Sequence, residues 1–272
     1  VERSRSTNGM FLLRFAMKTL ILSDIHSNIE SLRAIEKKEK NWDLLYVAGD
    51  IVDYGFFPCE VIRWLREHNA HAVAGNHDVN MLRLIDEKHQ VDLNRPYTFA
   101  EYNLSLLQKD DIDYLRSLPE TLEFLLDGVP CLMTHYYTPD LDIVQNETQF
   151  RVFWETHSKQ YPADCENKIL LFGHTHRGVI CRFGNGMTWM NPGSASYRRN
   201  DDPDKDASYL VSEDGYMEIR HVPYPKEQLY RKLQDSNLTL QERRHGTFFY
   251  GPYPFYLSLE QLEKLQGGEK QV

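Results

Sequence analysis

The chain has 272 residues, 41% of them apolar and 26% charged, with four cysteines and a formal net charge of −9. That length supports one large domain with an ample core, and the composition is that of an ordinary globular chain rather than a fibrous or low-complexity one. The acidic balance offers a long nucleic acid no attraction from the overall field, and no stretch approaches the roughly 18 apolar residues of a membrane-spanning helix.

The first 16 residues stand apart. Val1 to Gly9 is polar, the chain does not start with Met, and the apolar stretch from Met10 to Ala16 is broken by Arg14. These residues read as an N-terminal extension, left from expression or translated from upstream and without fixed structure, rather than a signal peptide. Met17 reads as the natural start, because the first strand follows directly.

Thr19 to Leu22 is a short apolar run of the kind that forms a buried parallel strand. It leads into Asp24-Ile25-His26. Ile29, Leu32, Ala34 and Ile35 then keep roughly helical spacing, which predicts a helix from about Asn28 to Lys40 with Asn28 as its cap. Trp42 to Ala48 predicts the second strand, ending in Gly49-Asp50-Ile51-Val52-Asp53. Pro58 to Asn69 predicts a second helix, with Pro58 near its first position and Val61, Ile62 and Leu65 on the buried face. His71 to Ala74 predicts a third strand, which runs into Gly75-Asn76-His77-Asp78 and a short helix around Met81 to Ile85.

Two further helices are expected at Phe99 to Gln108 and Asp110 to Leu118, the second stopped by Pro119. Leu122 to Leu126 and Val129 to Thr134 read as a hairpin about Asp127-Gly128, leading to His135. Phe150 to His157 is weakly helical. Ile169 to Phe172 is a strand that ends in Gly173-His174-Thr175-His176. Gly178 to Phe183, Met187 to Met190, Ala207 to Ser212 and Tyr216 to Val222 read as antiparallel strands, punctuated by Gly184-Asn185-Gly186 and Asp214-Gly215. The order, βαβαβ and then mostly β, predicts an α/β fold of two packed sheets with helices on the outer faces. The main domain is expected over 17–233. A tail over 234–272, with its cluster Phe248-Phe249-Tyr250, Tyr253 and Phe255-Tyr256, is expected to pack on that domain or on a second subunit.

The chemistry sits at the strand ends. Five apolar runs are each followed by Asp, Asn or His, and ligands of open α/β sheets bind outside the carboxyl ends of strands. This predicts two metal ions held at one edge of a sheet. Residues i and i+2 on an extended strand end point the same way, so Asp24 with His26, and His174 with His176, each offer a paired grip. The two oxygens of Asp50 allow it to bridge two cations. Mixed His, Asp and Asn ligation suits Mn²⁺, Fe²⁺ or Zn²⁺ better than Mg²⁺ or Ca²⁺. Two such ions about 3.5–4 Å apart clamp a phosphoryl group and hold a hydroxide between them. Each element alone has a plainer reading, as a surface turn or a packed histidine; five in order, each at a strand end, do not. His68, His71, His89, His157, His221 and His245 lack such partners and read as solvated or packed rings. The four cysteines show no metal-binding spacing and are expected to stay reduced in the cytoplasm.

With these elements the chain resembles the calcineurin-like metallophosphoesterase superfamily, whose pattern is D-x-H, G-D-x-x-D, G-N-H-[D/E], H and G-H-x-H. The match covers 19 to about 222. The resemblance implies a four-layer αββα sandwich with two central mixed sheets flanked by helices. It implies a phosphoric ester hydrolase with two divalent transition metal ions, Mn²⁺ first and Fe, Zn or Ni as alternatives. It also implies that Asp24, His26, Asp50 and His176 hold one ion, that Asn76, His135 and His174 hold the other, and that Asp50 bridges. His77 would protonate the leaving oxygen and Asp53 would keep it cationic, while Asp78 orients its neighbours.

Tyr54 and Asp78 stand where the Ser/Thr phosphatases of this superfamily have Arg and Glu. The stretch Gly49 to Gly55, with Asn191-Pro192-Gly193-Ser194 and Arg199, is closer to small prokaryotic-type phosphodiesterases, including diadenosine tetraphosphate hydrolases. Ser27 departs from their usual Gly, and Tyr136-Tyr137 from their small residues. The expected reaction is attack in line by a metal-bridging hydroxide on a small phosphoester or nucleotide, as a phosphodiesterase; a phosphomonoesterase and a non-catalytic metal-binding scaffold are the alternatives. Arg177, Arg198 and Arg199, which follow the last two loops, are the expected substrate contacts. The oligomeric state is not legible.

Overall fold

A computed structural model describes residues 17–136, 143–196, 199, 204–251, 258, 260, 261 and 264. The N-terminal extension, Tyr137, Arg198, Tyr253, Phe255 and Tyr256 lie outside the described residues. The elements run β1 (Lys18–Leu22), α1 (Ile29–Glu39), β2 (Leu44–Val47), α2 (Pro58–Glu67), β3 (His71–Ala72), α3 (Asn76–Asp86), α4 (Phe99–Leu106) and α5 (Lys109–Ser117). They continue with β4 (Thr121–Leu126), β5 (Val129–Thr134), α6 (Glu147–His157), β6 (Lys168–Leu171), β7 (Gly178–Arg182), β8 (Met187–Pro192), β9 (Ala207–Glu213), β10 (Tyr216–Val222), α7 (Glu227–Asp235) and α8 (Leu240–Tyr250).

Alternation along the strands sorts the side chains into layers. On β1, Leu20 and Leu22 face the helices while Ile21 faces the opposite sheet. On β5 and β6, Leu132 and Leu170 face α6, whereas Cys131, Met133, Ile169 and Leu171 pack between the sheets. Three clusters result: a large one beneath α1, α2, α4, α5, α7 and α8, a central one between the sheets, and one under α6 built on Phe150, Phe153 and Trp154. This is the four-layer αββα sandwich.

Both sheets are mixed and have five strands, ordered β10-β9-β1-β2-β3 and β4-β5-β6-β8-β7. β1, β2 and β3 pair in parallel, as do β5, β6 and β8. The expected strands therefore form, but they divide between two sheets, and the metal-ligand motifs lie where the carboxyl ends of both sheets meet rather than at one sheet edge. The helix expected around Met81 begins five residues earlier, at Asn76, because Asp78 accepts a hydrogen bond from the Gly75 N–H at 2.8 Å and caps that end.

Within the segment from residue 234 onward, the described part includes α8. Phe248, Phe249 and Tyr250 are buried on α8 among the residues of the large cluster.

At the far side, Glu39 of α1 gathers Lys18 Nζ at 2.7 Å, Arg220 Nη1 at 2.6 Å and the Tyr209 hydroxyl at 2.6 Å. Burial alone would raise its pKa; the hydrogen bonds from Lys18 and Tyr209 and the charge of Arg220 reverse this and hold it below the usual carboxylate range. A folded-state pKa below the unfolded one contributes stability that is complete above the unfolded value, about 4.3, and is lost as pH falls through the folded value. Glu39→Gln is therefore expected to cost about 1–3 kcal/mol at neutral pH, since two partners are partly exposed. Urea midpoints measured across pH should show the gap between the two proteins shrinking below about pH 4.

Candidate metal centre

The motif loops are short and reverse at once, so several ligand-bearing residues take left-handed backbone. Asp24, His26, Ser27, Asp50, Asp53, Tyr54, His174 and His176 all have φ between +49° and +72°. Such conformations cost of order 1 kcal/mol or more each in non-glycine residues and concentrate at functional sites. The expected extended grip of Asp24 with His26, and of His174 with His176, is thus replaced by left-handed turns that bring each pair to the site. Backbone bonds stitch the turns together: Asp24 N donates to Gly49 O at 3.0 Å, His26 N to Asp50 O at 3.0 Å and Gly173 N to His135 O at 2.8 Å. Close approach is enforced at Gly75, where a Cβ would lie 2.1 Å from Asp50 Oδ1.

Two groups of side chains form. In the first, Asp24, His26 and His176 converge, with His176 Nε2 3.0 Å from Asp24 Oδ1 and 3.4 Å from His26 Nε2. In the second, Asp50, His135 and His174 converge, with His135 Nε2 3.2 Å from Asp50 Oδ2 and 3.3 Å from His174 Nδ1. Asn76 Oδ1 belongs to the second group, 3.0 Å from His135 Nε2 and 2.9 Å from His174 Nδ1. Asp50 faces both groups, because its Oδ2 is also 3.8 Å from His26 Nε2.

This donor set fits divalent cations. In four-coordinate sites with metal–nitrogen distances of about 2.0–2.1 Å, neighbouring ligand atoms stand about 3.3–3.4 Å apart. Both nitrogen pairs have that spacing. Each aspartate also divides its labour. Asp24 Oδ2 accepts from Ser23 Oγ at 2.5 Å and His174 N at 3.1 Å, leaving Oδ1 toward the imidazoles. Asp50 Oδ1 accepts from His77 N at 2.9 Å, leaving Oδ2. His135 Nδ1 is 2.6 Å from the Ala48 carbonyl, which sets that nitrogen as the donor and turns Nε2 toward the site.

The electrostatics differ across the pair. Burial pushes the pKa of His26 down to about 3, so this ring is neutral. For His135 burial acts the same way but is outweighed by the adjoining Asp50 carboxylate, which pushes the pKa up to about 10. Burial also opposes ionisation of Asp24 and Asp50, yet His176 and His135 respectively hold both below the usual carboxylate range.

Beside these groups stands His77, whose Nδ1 is 2.7 Å from Asp53 Oδ2 and whose Nε2 is 4.0 Å from Asp50 Oδ2. Burial disfavours its charge, but the Asp53 hydrogen bond and the charge of Asp50 outweigh it and push the pKa up to about 9. Asp78 is fully buried and binds backbone, accepting from Ile51 N at 2.9 Å and Val52 N at 3.1 Å, which fixes the loop that carries Asp50. Burial, then the charge of Asp50, pushes its pKa up to about 7.

Of the expected substrate contacts, Arg177 and Arg199 are exposed at the rim, with Arg199 Nη1 donating to Thr175 O at 3.2 Å within the Gly173–His176 turn. The Tyr136 ring lies 5.5 Å from that of His174.

Sequence reasoning missed Asn103 and gave Ser27, Tyr54 and His245 no place at the site. Asn103, fully buried on α4, accepts from Ser27 Oγ at 2.5 Å and Asp53 N at 3.1 Å and donates to Gly55 O at 2.9 Å, so it ties two left-handed turns together. Ser27 meets the strain of its φ of +51° with that bond. Tyr54 lies with its ring 4.8 Å from that of His77 and 5.5 Å from that of His26. Behind Tyr54 stands His245 of α8, ring to ring at 6.1 Å. A mid-helix Asn and a distant His carry no local signal that would single them out.

A model of the calcineurin-like phosphoesterase superfamily domain matches residues 17–213. An uncharacterized protein of Methanocaldococcus jannaschii is 28% identical over 235 residues, 80% of this chain and 92% of that protein. The symmetrical bis(5′-nucleosyl)-tetraphosphatase of Buchnera aphidicola is 32% identical over 104 residues, only 36% of this chain and 35% of that enzyme. In fold, the crystal structure of a metallophosphoesterase from Sphaerobacter thermophilus aligns with a TM-score of 0.66 at 22% identity, covering 87% of this chain and all of the other. The chain belongs to the calcineurin-like phosphoesterase superfamily and is a metal-dependent phosphoric ester hydrolase.

Because Asp50 Oδ2 is 3.2 Å from His135 Nε2 and 3.8 Å from His26 Nε2, Asp50→Asn is expected to lower metal content more than a substitution of any other single ligand. Elemental analysis after metal-replete expression checks this; fewer than one transition metal per chain in the unsubstituted protein would overturn the assignment of the centre.

Proposed function

We propose that the chain is a phosphodiesterase that acts on a small or nucleotide substrate by in-line attack of water on phosphorus, with two divalent cations held across Asp50. The observation that carries this reading is the His77–Asp53 pair beside two imidazole–carboxylate groups, with Asp50 Oδ2 3.2 Å from His135 Nε2 of one and 3.8 Å from His26 Nε2 of the other. Asp24, His26 and His176 would hold one cation, Asn76, His135 and His174 the other, and Asp50 both. When bound, such cations neutralise the phosphoryl oxygens and lower the pKa of the attacking water. The mixed imidazole, carboxylate and amide set favours Mn²⁺, with Fe, Zn or Ni as alternatives, over Mg²⁺ or Ca²⁺. Four free thiols fit a reducing compartment, the cytoplasm. Among the described residues no helix is long and apolar enough to cross a membrane.

His77 has the geometry of a general acid. Its Nδ1–H donates to Asp53, so the proton it gives up is the one on Nε2, the nitrogen on the side of Asp50. Asp53 is the support that remains once Asp50 is neutralised by bound cations. The leaving oxygen of a diester departs as an alcohol when Nε2 supplies that proton. Asp53 in turn accepts from Tyr54 N at 2.7 Å, which fixes the carboxylate. Arg199, beside the Thr175 carbonyl, with Arg177 and Arg198 close in sequence, would bind a non-reacting phosphate oxygen or the second ester arm. The likeness to a bis(5′-nucleosyl)-tetraphosphatase supports a nucleotide as the substrate class.

Metal-replete protein is expected to turn over bis(p-nitrophenyl) phosphate faster than p-nitrophenyl phosphate; a clear preference for the monoester would replace the diesterase reading with a monoesterase, and inactivity on both with full metal would leave a scaffold. His77→Asn is expected to lower kcat by about 10²–10⁴-fold on a substrate with an alkoxide leaving group. Its metal content should stay near normal. The loss should shrink with nitrophenolate, which departs with little protonation. An equal loss on both would assign His77 a structural role.

A further inference from the structure

Helix α8 lies beyond the 17–213 span of the family domain, yet it reaches the loop that carries Asp53. Gly246 lets the helix come down on Leu233 of α7, where a Cβ would lie 2.5 Å from Leu233 Cδ1. Lys205 Nζ donates to Phe248 O. At the carboxyl end of the helix, the buried Tyr250 hydroxyl donates to Tyr54 O at 2.9 Å. Burial pushes the Tyr250 phenol well above its ordinary pKa, so it stays protonated and acts as a donor.

The loop that Tyr250 meets is strained. Asp53 and Tyr54 are consecutive left-handed residues, with φ of +72° and +53°. Asn103 holds the two ends of the turn, accepting from Asp53 N at 3.1 Å and donating to Gly55 O at 2.9 Å. The carbonyl between them, Tyr54 O, is held by Tyr250. The N–H of the same residue donates to Asp53 Oδ1 at 2.7 Å, and Asp53 Oδ2 stands 2.7 Å from His77 Nδ1. The Tyr54 ring lies 4.8 Å from that of His77, with the rings of His245 and Phe249 of α8 each 6.1 Å from it. Backbone and ring of one residue thus carry the contacts of α8 to the acid.

We propose that Tyr250 is a positioning residue for the general acid: by fixing the Tyr54 peptide it fixes the Asp53 carboxylate, and through Asp53 the direction in which His77 Nε2 points. This rests on the phosphodiesterase reading, which makes His77 the proton donor to the leaving oxygen. Tyr250 acts from the Asp53 side of His77, opposite the nitrogen that gives up the proton. Proton transfer demands alignment, and a displacement of about 1 Å in a catalytic group costs on the order of 10²-fold in rate. Without the hydroxyl, Tyr54 O loses a partner and two left-handed residues are freer to relax. The Asp53 carboxylate turns with them. The matched span holds Asp53, His77 and Asn103, so this hold on the loop comes from outside the family domain.

The experiment uses the whole metal-replete chain and two diesters that differ in the leaving phenol, methyl phenyl phosphate and methyl p-nitrophenyl phosphate. Phenolate needs a proton as it departs far more than nitrophenolate does. Tyr250→Phe removes the hydroxyl and keeps the ring. It is expected to lower kcat for the phenyl ester about tenfold, a part of the roughly 10²–10⁴-fold that a positioned acid supplies. KM for both esters, and kcat for the nitrophenyl ester, should change by less than about twofold. In a His77→Asn background the same substitution should lower turnover of the phenyl ester no further, because the group it positions is gone. Replacing Tyr250 with para-aminophenylalanine, which returns a weaker N–H donor to the same place, should recover part of the loss. That variant carries the test if Tyr250→Phe does not fold, with a loss on the phenyl ester and none on the nitrophenyl ester. Metal content and thermal melting of each variant serve as folding controls. Equal losses on both esters, no loss on either, or an undiminished loss in the His77→Asn background would overturn the proposal and leave the phosphodiesterase reading standing. Turnover of the nitrophenyl ester alone would overturn it too, for then no acid assists the leaving group. If the unsubstituted, fully metallated protein cleaves neither ester, the phosphodiesterase reading itself fails and the proposal falls with it.

Discussion

Two carboxylates, Asp24 and Asp50, are buried within each other's field at the junction of two sheets, and the surroundings of the site answer that cost. Isolated buried anions are strongly unfavourable, and a like-charged neighbour makes them more so. The chain supplies compensation atom by atom. Ser23 and the His174 N–H satisfy one oxygen of Asp24, and the His77 N–H satisfies one oxygen of Asp50. The remaining oxygens turn toward imidazoles, which lower both carboxylate pKa values. The balance is uneven: His135 Nε2 stands 3.2 Å from Asp50 Oδ2, whereas His26 Nε2 stands 3.8 Å from it.

That arrangement requires turns too tight for ordinary backbone. Eight residues of the motif loops sit in left-handed conformations, and none of them is glycine, the residue that adopts them without steric cost. The strain is held by a second layer that never touches substrate. Asp78 closes the Asp50 loop from beneath, Asn103 joins the turn at Ser27 to the turn at Asp53, and Ser194 Oγ donates to Asp24 O at 2.8 Å. Pre-organisation of this kind, with rigid side chains supported by fixed hydrogen bonds, is what keeps a multi-ligand site within the tolerance that chemistry demands.

The two-sheet fold and every ligand-bearing loop were legible because each motif interrupts a run with clear two-residue alternation or helical spacing. Strand-end placement of Asp24, Asp50, Asn76, His135 and His174 follows from that pattern alone. What resisted reading depends on tertiary distance. Nothing local distinguishes β1 from β5 as members of different sheets, so the centre was expected at one edge rather than at a junction. The left-handed turns were invisible because Asp and His carry no signature of positive φ comparable to that of glycine. Asn103 looks like any mid-helix amide, and the aromatic residues of α8 gain meaning only when the helix is seen lying on Tyr54.

The sheet order carries a consequence for how this protein is made. β1 pairs in parallel with β2 on one side, but its antiparallel neighbour on the other is β9, and the register runs from Lys18 opposite Glu213 to Ile21 opposite Leu210. A chain emerging from the ribosome amino end first presents Asp24, His26, Asp50 and Asn76 long before His135, His174 and His176 exist to meet them. Until then those anions have no imidazole cluster to face, and β1 lacks one of its sheet partners. Topologies dominated by such distant pairings fold slowly and leave strand edges exposed while they wait. The two groups of the candidate metal centre are therefore complete only late in synthesis, once the chain has emerged past His176.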